Sequence, residues 1–490
     1  MAVLRNKNWG IYNSFDAVVS AVSQAVTNGA DAPIVGDTAR FRDASGGVYD
    51  ATYTASGWTK GMGFDTSGNA VSSVPIAERN GIKFQCRPGS KGFRKFFGRM
   101  ADYSNDLTNG TTFQLVTTLE QDFDAIQLVI ATIQTSGTTV RSAHYVNVCA
   151  DASLTDAQLN ALSGWVFTDW PENDGNTVHA QFASFASATS RPRYLVSNMK
   201  AINSIPRTDG GTLPLIVVRS LLYNVNATPS VCGNGSSDAF ANIASTDGRV
   251  LKVRKQTNNG LTTFSGADTN QSPLVGIIYY SRGRVVNIAK FGDSIMQGRG
   301  TRMGDGYIRP EAIRRSSKSG IAYEVADFAW SGFTSANYHN IAVDALGQFP
   351  IDIGIYPATT PNDVAGGASL ATATANIAAA KYRHEEFVAK CRDNAVVPMV
   401  STFEPVATNV NDYTLCDSAR TDFNTALRAL PARGVLICDT DAVIAGATVN
   451  GQVQPVASLM VDGIHPNDAG NELIRSQQFA PQLDRITLVG

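Results

Sequence analysis

The chain has 490 residues, of which 43% are hydrophobic and 17% charged, so it is long enough for two or three domains with buried cores and is not disordered in composition. The formal net charge is −2 at pH 7. Lysine and arginine are therefore not in excess to neutralise phosphates, and nucleic acid is not expected as a partner. No stretch approaches the roughly 18 apolar residues of a membrane span.

Residues 1–106 are the least regular part of the sequence. From residue 30 onward they are rich in glycine, serine, aspartate and threonine, with short strand-like pieces such as residues 48–53. We predict an irregular N-terminal region that serves for attachment. Polar residues at Asn8, Asn13 and Asp16 interrupt the start, so no signal peptide is evident and the chain is expected to be cytoplasmic as synthesised.

Short β-rich runs dominate residues 107–282. They lie at 113–119, 126–133, 140–148, 178–185, 213–222, 250–253 and 274–280, and turn residues separate nearly all of them. Many short strands without intervening amphipathic helices favour an antiparallel β-sandwich or jelly roll. We predict that this second domain ends at residue 282 and is tightly coupled to the next, because only residues 281–284 separate two apolar runs.

Residues 283–490 alternate strands with helices. Strands are predicted at 285–291, 323–329, 351–356, 396–401 and 434–438, and the clearest helices at 371–395 and 412–430. This alternation predicts an α/β domain with a doubly wound parallel sheet.

A candidate nucleophile follows the first of these strands. The apolar run 285–289 leads into Phe-Gly-Asp-Ser-Ile-Met-Gln-Gly at 291–298, which predicts a buried strand that ends in a tight, glycine-flanked turn. A serine on a sharp strand-to-helix turn is exposed at the carboxyl edge of an open sheet, where active sites lie. Ser294 is therefore the candidate nucleophile.

A serine hydroxyl needs a base to accept its proton and a third group to orient that base. Asp462 lies three residues before His465 near the end of the chain. A single turn can aim both at Ser294, with Asp462 fixing the tautomer of His465. The alternatives are a surface histidine and an aspartate that caps the following helix.

These two blocks resemble those of the GDSL, or SGNH, hydrolase family. Gly-Asp-Ser-Ile at 292–295 is similar to the family's first block, with isoleucine in place of the usual leucine, and Asp-Gly-Ile-His at 462–465 is similar to its last. The resemblance covers roughly the last two-fifths of the chain. It implies a serine hydrolase with the triad Ser294, Asp462 and His465.

The family also has a glycine and an asparagine that help to form an oxyanion hole. Gly332, after the predicted strand 325–329, matches the glycine. Asn362 lies in Thr-Pro-Asn-Asp at 360–363, where the family usually has Gly-x-Asn-Asp. The resemblance therefore implies an oxyanion hole formed by the backbone N–H groups of Ser294 and Gly332 and the side-chain amide of Asn362.

No cofactor or metal is implied, since no phosphate-binding glycine motif and no histidine or acidic cluster with metal spacing occurs. The other histidines, His144, His179, His339 and His384, are interpreted as structural. Six scattered cysteines without a Cys-x-x-Cys pair argue against a structural zinc site and a dense disulfide scaffold. One bridge within the last domain stays open, among Cys391, Cys416 and Cys438.

The resemblance leads us to expect a serine esterase (acetylesterase/deacetylase) that removes O-acetyl groups from a polysaccharide, such as a bacterial surface glycan. The long β-rich part ahead of it is similar to those of phage tail proteins, which would place the chain in a virion, or outside the cell after lysis. A homo-oligomer fits that setting, and it would be a trimer if virion-associated. Two alternatives stay open: a lipase-like carboxylesterase, and an inactive hydrolase fold that serves as a glycan-binding virion adhesion protein.

Overall fold

The computed structural model describes most of the chain from residue 84 onward and shorter pieces before it. The described residues are 8–12, 20, 38–42, 48–54, 57–60, 84–96, 100–101, 110–131, 140–171, 179–182, 194–223, 231–233, 243–244, 249–257, 263–268, 271–301, 306–364, 370–407 and 417–489. The chain divides into two units. The first holds residues 1–85, 428–436 and 484–487, and the second holds residues 86–427, 437–483 and 488–490.

The first unit contains a four-stranded sheet within the region that the sequence predicts to be irregular. Its strands are β1 (Asn8–Tyr12), β2 (Thr38–Arg42), β3 (Val48–Thr54) and β4 (Gly57–Lys60). β1 pairs with β2 in parallel, and β2, β3 and β4 follow one another as an antiparallel meander.

Short strands and one helix follow in chain order. They are β5 (Phe84–Cys86), β6 (Gly89–Lys95), β7 (Met100–Ala101), β8 (Thr111–Thr118), β9 (Phe123–Ala131), β10 (Val140–Cys149), α1 (Asp156–Asn160), β11 (Val166–Phe167), β12 (His179–Phe182), β13 (Tyr194–Val196), β14 (Lys200–Ala201), β15 (Leu215–Tyr223), β16 (Val231–Gly233), β17 (Ile243–Ala244), β18 (Val250–Gln256), β19 (Ala267–Asp268) and β20 (Gln271–Ser272).

Eight of these strands form an antiparallel sheet. Its order is β11-β10-β15-β8-β18-β17, with β12 paired to β10 and β19 to β18. Val116, Leu215 and Val217 share a core cluster with Leu159 of α1. β9, β13 and β14, from the same part of the chain, belong to a different sheet. A sandwich formed within residues 107–282 is therefore not confirmed and stays a prediction.

The C-terminal part alternates strands and helices as the sequence predicts. The strands are β21 (Leu274–Gly292), β22 (Ala322–Ala329), β23 (Ile353–Pro357), β24 (Val397–Ser401), β25 (Leu436–Cys438), β26 (Ala445–Val449), β27 (Gln452–Pro455) and β28 (Ile486–Leu488). The helices are α2 (Ser294–Gln297), α3 (Ile308–Ser319), α4 (Ser335–Gln348), α5 (Leu370–Asp393), α6 (Asp417–Arg428), α7 (Thr440–Ile444), α8 (Asp468–Leu473) and α9 (Ala480–Asp484). Shorter helical turns lie at Pro361–Asp363, Leu430–Arg433 and Ala457–Leu459, and a π-helix at Ile474–Phe479.

The central strand β21 takes part in two kinds of pairing. Its second half pairs in parallel with β22 on one side and β23 on the other, and β24 pairs in parallel with β23. With β25 after β24, the order is β22-β21-β23-β24-β25, which is the doubly wound arrangement that the alternation predicts. The first half of β21 pairs antiparallel with β6 and β9. One sheet therefore continues across residues 282–283, and the domain boundaries stay predictions.

Buried charges join the antiparallel sheet to this mixed sheet. Glu120, after β8, accepts two hydrogen bonds from Arg249, at 2.7 and 2.5 Å. The backbone N–H of Glu120 donates to the Glu324 carboxylate of β22 at 3.0 Å, and the hydroxyl of Tyr279 donates to the same oxygen at 2.8 Å. Buried charges are stable only when partners satisfy them, so this network fixes how the two sheets meet.

Four cysteines, Cys86, Cys149, Cys391 and Cys438, are free and buried. Of the three cysteines for which the sequence left a bridge open, Cys391 and Cys438 are therefore not bridged, and Cys416 lies outside the described residues. Among the described helices, none has the length and apolar character needed to cross a membrane.

Limited proteolysis checks the continuity of β21. We expect no ready cleavage between Tyr280 and Val285, because the backbone there lies within a 19-residue strand and a protease needs a mobile, extended substrate. N-terminal sequencing of early tryptic fragments is the measurement, since Arg282 and Arg284 are trypsin sites. Early cleavage after either arginine would contradict the shared strand.

Candidate active site

The turn after β21 presents Ser294 at the carboxyl edge of the parallel sheet. Ser294 is the first residue of the short helix α2, and Asp293 is its N-cap. One carboxylate oxygen of Asp293 accepts hydrogen bonds from the N–H groups of Ile295 at 3.0 Å and Met296 at 3.4 Å. This cap does not involve the N–H of Ser294. Asp293 therefore acts as the capping residue of the turn.

Gly292 is required by the backbone of this turn. Its φ angle is +141°, which residues with a side chain rarely adopt. A Cβ atom built there would lie 2.5 Å from the Met296 side chain and 2.9 Å from that of Pro357. The turn can therefore approach Pro357 of β23 this closely only with glycine at residue 292.

The structure brings Ser294, His465 and Asp462 together. The Oγ atom of Ser294 lies 2.8 Å from Nε2 of His465. On the other side of the ring, Nδ1 lies 2.7 Å from Oδ2 of Asp462. Ser294 and His465 are only 6% and 5% exposed. A hydroxyl, an imidazole and a carboxylate in this order have the geometry of a serine nucleophile with its base and orienting acid.

Asp462 is held by the loop that carries His465. Its Oδ1 atom accepts hydrogen bonds from the backbone N–H groups of Ile464 at 3.1 Å and His465 at 3.0 Å. Burial alone would raise the pKa of Asp462, but the hydrogen bonds from the His465 ring and backbone outweigh it, so the pKa lies below its usual value. Asp462 therefore keeps a negative charge beside the imidazole.

The loop after β22 carries Gly332 and is fixed to the nucleophile turn by Gln297. The side-chain oxygen of Gln297 accepts a hydrogen bond from the N–H of Ser331 at 3.1 Å. Gly332 has a φ of +85°, and a Cβ atom there would meet nothing within 4 Å. The backbone of this loop is therefore held from within the protein while Gly332 faces open space.

Asn362, in the helical turn after β23, links the loop of Gly332 to the nucleophile turn. Its side-chain nitrogen donates to the carbonyl of Phe333 at 2.9 Å and to the hydroxyl of Thr360 at 3.2 Å. The Thr360 hydroxyl in turn donates to Asp293. Burial raises the pKa of Asp293, and the hydrogen bond from Thr360 opposes that shift.

Two positioning contacts escaped the sequence reasoning. Gln297 and Thr360 each form hydrogen bonds that join two loops. No motif in the sequence indicates either contact, because the partner residues lie far away along the chain. Asp363 offered a weak signal as the second residue of the Asn-Asp pair. Its carboxylate accepts hydrogen bonds from the N–H of Ser335 and the hydroxyl of Thr359, both at 2.9 Å.

The sequence of this part of the chain matches a known family. Residues 291–473 match the GDSL-like Lipase/Acylhydrolase family, and this range contains Ser294, Gly332, Asn362, Asp462 and His465. Residues 291–473 form a GDSL-like lipase/acylhydrolase domain. Hydrolysis of esters by a serine hydrolase is the activity that this family implies.

Several solved structures are similar to part of this chain. An acetyl xylan esterase from Geobacillus stearothermophilus has a TM-score of 0.32 at 17% identity, over 42% of this chain and 97% of that one. A GDSL-like lipase from Bacteroides thetaiotaomicron has a TM-score of 0.30 at 14% identity, over 41% and 88%. An esterase from a Pseudoalteromonas species has a TM-score of 0.28 at 18% identity, over 40% and 98%. No curated protein matches the chain.

Two other histidines, one on helix α4 and one on strand β10, have contacts of their own. His339 pairs with Glu386 at 3.0 Å and His144 lies between the hydroxyls of Ser142 and Ser220, so neither contacts Ser294. Within the described ranges, no group of three or more His, Cys, Asp and Glu side chains is arranged to hold a metal ion.

Glu404 is a buried acid three residues after strand β24. Burial raises its pKa to about 7; the hydrogen bond with Thr440 opposes this shift, and the charges of Asp293 and Asp441 add to it. In the unfolded chain a glutamate ionises near pH 4. The folded state therefore binds a proton at Glu404 that the unfolded state loses between these pH values, and the contribution of Glu404 to stability falls as the pH rises from about 4 to about 7.

Glu404→Gln should remove this pH dependence, because the amide cannot ionise. We expect the stability of the variant relative to wild type to increase by about 3 kcal/mol from pH 4 to pH 8. Urea unfolding at several pH values across this range measures the difference. A difference that stays constant with pH would show that Glu404 ionises at the same pH in both states.

Proposed function

We propose that the chain is a serine esterase that removes O-acetyl groups from a polysaccharide through an acyl-enzyme. The observation that carries the proposal is the hydrogen-bonded series from Ser294 through His465 to Asp462, with contacts of 2.8 and 2.7 Å. Ser294 is the nucleophile, His465 the general base and acid, and Asp462 the group that orients the imidazole.

The reaction proceeds in two steps. Oγ of Ser294 attacks the ester carbonyl while Nε2 of His465 accepts its proton, and His465 then protonates the departing sugar hydroxyl as the C–O bond breaks. Water attacks the acetyl-serine next, again with His465 as base. Acetate leaves and the serine hydroxyl is regenerated. Asp462 stabilises the imidazolium in both steps because its carboxylate stays ionised.

The oxyanion of each tetrahedral intermediate is stabilised by the N–H groups of Ser294 and Gly332 and by the side-chain amide of Asn362. The cap of α2 leaves the Ser294 N–H unused, and Gln297 fixes the loop of Gly332. The side-chain amide of Asn362 would keep its shorter hydrogen bond to Phe333. It would give up the longer one to Thr360 and donate that N–H to the oxyanion. Each such donor contributes about 10²–10³-fold to the rate.

The aromatic residues near the site support a short acyl group. Trp330, Phe333 and Tyr338 are the side chains that would line a lipid groove, but their exposed fractions are 5%, 7% and 0%. The hydroxyl of Tyr338 donates to the carbonyl of Pro357 at 3.1 Å. Aromatic side chains that are packed in the core offer no open apolar channel for a long chain.

The polymeric substrate is supported by the openness around the nucleophile. Gly332 is exposed, and the side chain of Asp462 is 45% exposed. A small acetyl group on a large alcohol can therefore approach while the rest of the polymer stays outside. A long β-rich segment precedes the GDSL-like domain. This segment supports a phage or prophage setting, with a trimeric chain in the virion.

Ser294→Ala should lower kcat for p-nitrophenyl acetate by about 10⁴-fold or more, since no other group can form the acyl-enzyme. A fluorophosphonate should label wild type once, at Ser294, as measured by intact mass and peptide mapping. Ser317→Ala, which changes an exposed serine on α3, is the matched control and should still be labelled. No labelling of a folded wild-type chain would favour the inactive, glycan-binding alternative.

The acyl-chain preference separates a deacetylase from a lipase-like esterase. We expect kcat/KM for p-nitrophenyl esters to fall about tenfold or more from acetate to butyrate, because added methylenes have no apolar channel to enter. Acetate release from acetylated birch glucuronoxylan or acetylated xanthan, assayed with Ser294→Ala as blank, tests the polymer directly. A preference for octanoate or longer would overturn the deacetylase assignment.

A further inference from the structure

A cleft lies between helices α4 and α5 of the GDSL-like domain, and none of the triad residues lines it. Its volume is about 340 Å³, within the range of small-ligand sites. The residues that line it are His339, Asn340, Val343, Tyr382, Arg383 and Glu386.

The charges in this cleft balance one another. Nε2 of His339 lies 3.0 Å from the Glu386 carboxylate, whose side chain is 49% exposed. Arg383 donates to the hydroxyl of Ser335 at 2.8 Å. One guanidinium and one carboxylate leave no strong net charge, so a neutral ligand with many hydroxyl groups suits the cleft better than an anion or a cation.

The cleft is lined by an open aromatic ring and by a histidine whose second ring nitrogen lies beneath the surface. Tyr382 is 70% exposed, an unusual state for a large aromatic side chain. Nδ1 of His339 is buried and has no hydrogen-bond partner in the described part of the chain. A pyranose ring has an apolar C–H face that stacks on an aromatic ring and hydroxyls that exchange hydrogen bonds with amides and carboxylates.

The cleft is connected to the candidate active site by hydrogen bonds. Ser335, which accepts from Arg383, donates its N–H to Asp363 at 2.9 Å, and Asp363 directly follows Asn362. His339 and Val343 lie one and two turns farther along α4, or about 6 and 12 Å from Ser335 along its axis. The cleft and the loop that carries Asn362 are therefore joined through Ser335 and Asp363.

We propose that this cleft is an auxiliary glycan subsite that binds a neutral sugar of the polysaccharide, with its ring on Tyr382 and its hydroxyls on Asn340 and Glu386. The inference rests on the proposed deacetylase function. It adds a site for the polymer at a distance from the reacting ester.

The test measures binding without turnover. Full-length Ser294→Ala is run on native gels that contain acetylated birch glucuronoxylan or acetylated xanthan, and retardation gives the apparent association constant. Adding Tyr382→Ala should lower that constant about tenfold for the polymer that binds, whereas Tyr382→Phe, which keeps the ring, should lower it much less. Asn340→Ala is the second variant, and Met199→Ala, which removes a side chain that is 58% exposed elsewhere, is the control.

A kinetic ratio tests the same site in active protein. Tyr382→Ala should lower kcat/KM for the polymer about tenfold relative to that for p-nitrophenyl acetate, and Met199→Ala should leave this ratio unchanged. Equal binding by Tyr382→Ala, Asn340→Ala and their parent overturns the subsite even if wild type releases acetate. The absence of retardation by both polymers also overturns it, whereas binding without acetate release would instead contradict the deacetylase function.

Discussion

The candidate active site depends on the hydrogen bonds that the buried carboxylate of Asp293 accepts. One of its oxygens caps the helix that begins with Ser294, and the other accepts the hydroxyl of Thr360. Thr360 also receives a hydrogen bond from Asn362, which holds the carbonyl of Phe333. Loops from three neighbouring strands are thereby tied to one group. A buried carboxylate needs several donors, and this requirement fixes the loops in one arrangement.

Strands β6 and β9, which precede the family match, pair with β21 and extend the sheet of the GDSL-like domain. Lys95 of β6 donates to the carbonyl of Asp327 on β22 at 2.7 Å, and Lys290 of β21 lies 3.0 Å from the same residue's carboxylate. Lys290 also contacts the carbonyl of Gln297 at 3.4 Å. Asp327 therefore links β6 to β21, the strand that leads to Ser294, and removing either lysine would take a partner from this buried residue. The residues ahead of the family match contribute to the scaffold of the nucleophile.

Sequence reasoning succeeded where structure is local. The alternation of strands and helices predicted the parallel sheet, and the two short blocks contain Ser294, Asp462 and His465, which the structure brings together. It was incomplete where pairing is long-range. Residues 123–131 have the same apolar, β-branched character as β8 or β15, so nothing in their sequence shows that β9 joins β21 instead of the antiparallel sheet. Strand partners depend on burial and on register across the whole chain.

The sequence by itself determined the turn and the acid–base pair. Only glycine suits the φ of residue 292, an aspartate at 293 caps the helix, and Asp462 lies three residues before His465 within one loop. Only the tertiary structure decided that His465 meets Ser294, 171 residues earlier in the chain, that Thr360 joins Asp293 to Asn362, and that His339 pairs with Glu386 beside a cleft. The physical reason is that backbone conformation and capping follow from neighbouring residues, whereas contacts between distant residues are fixed only when the packed sheet brings its loops to one edge.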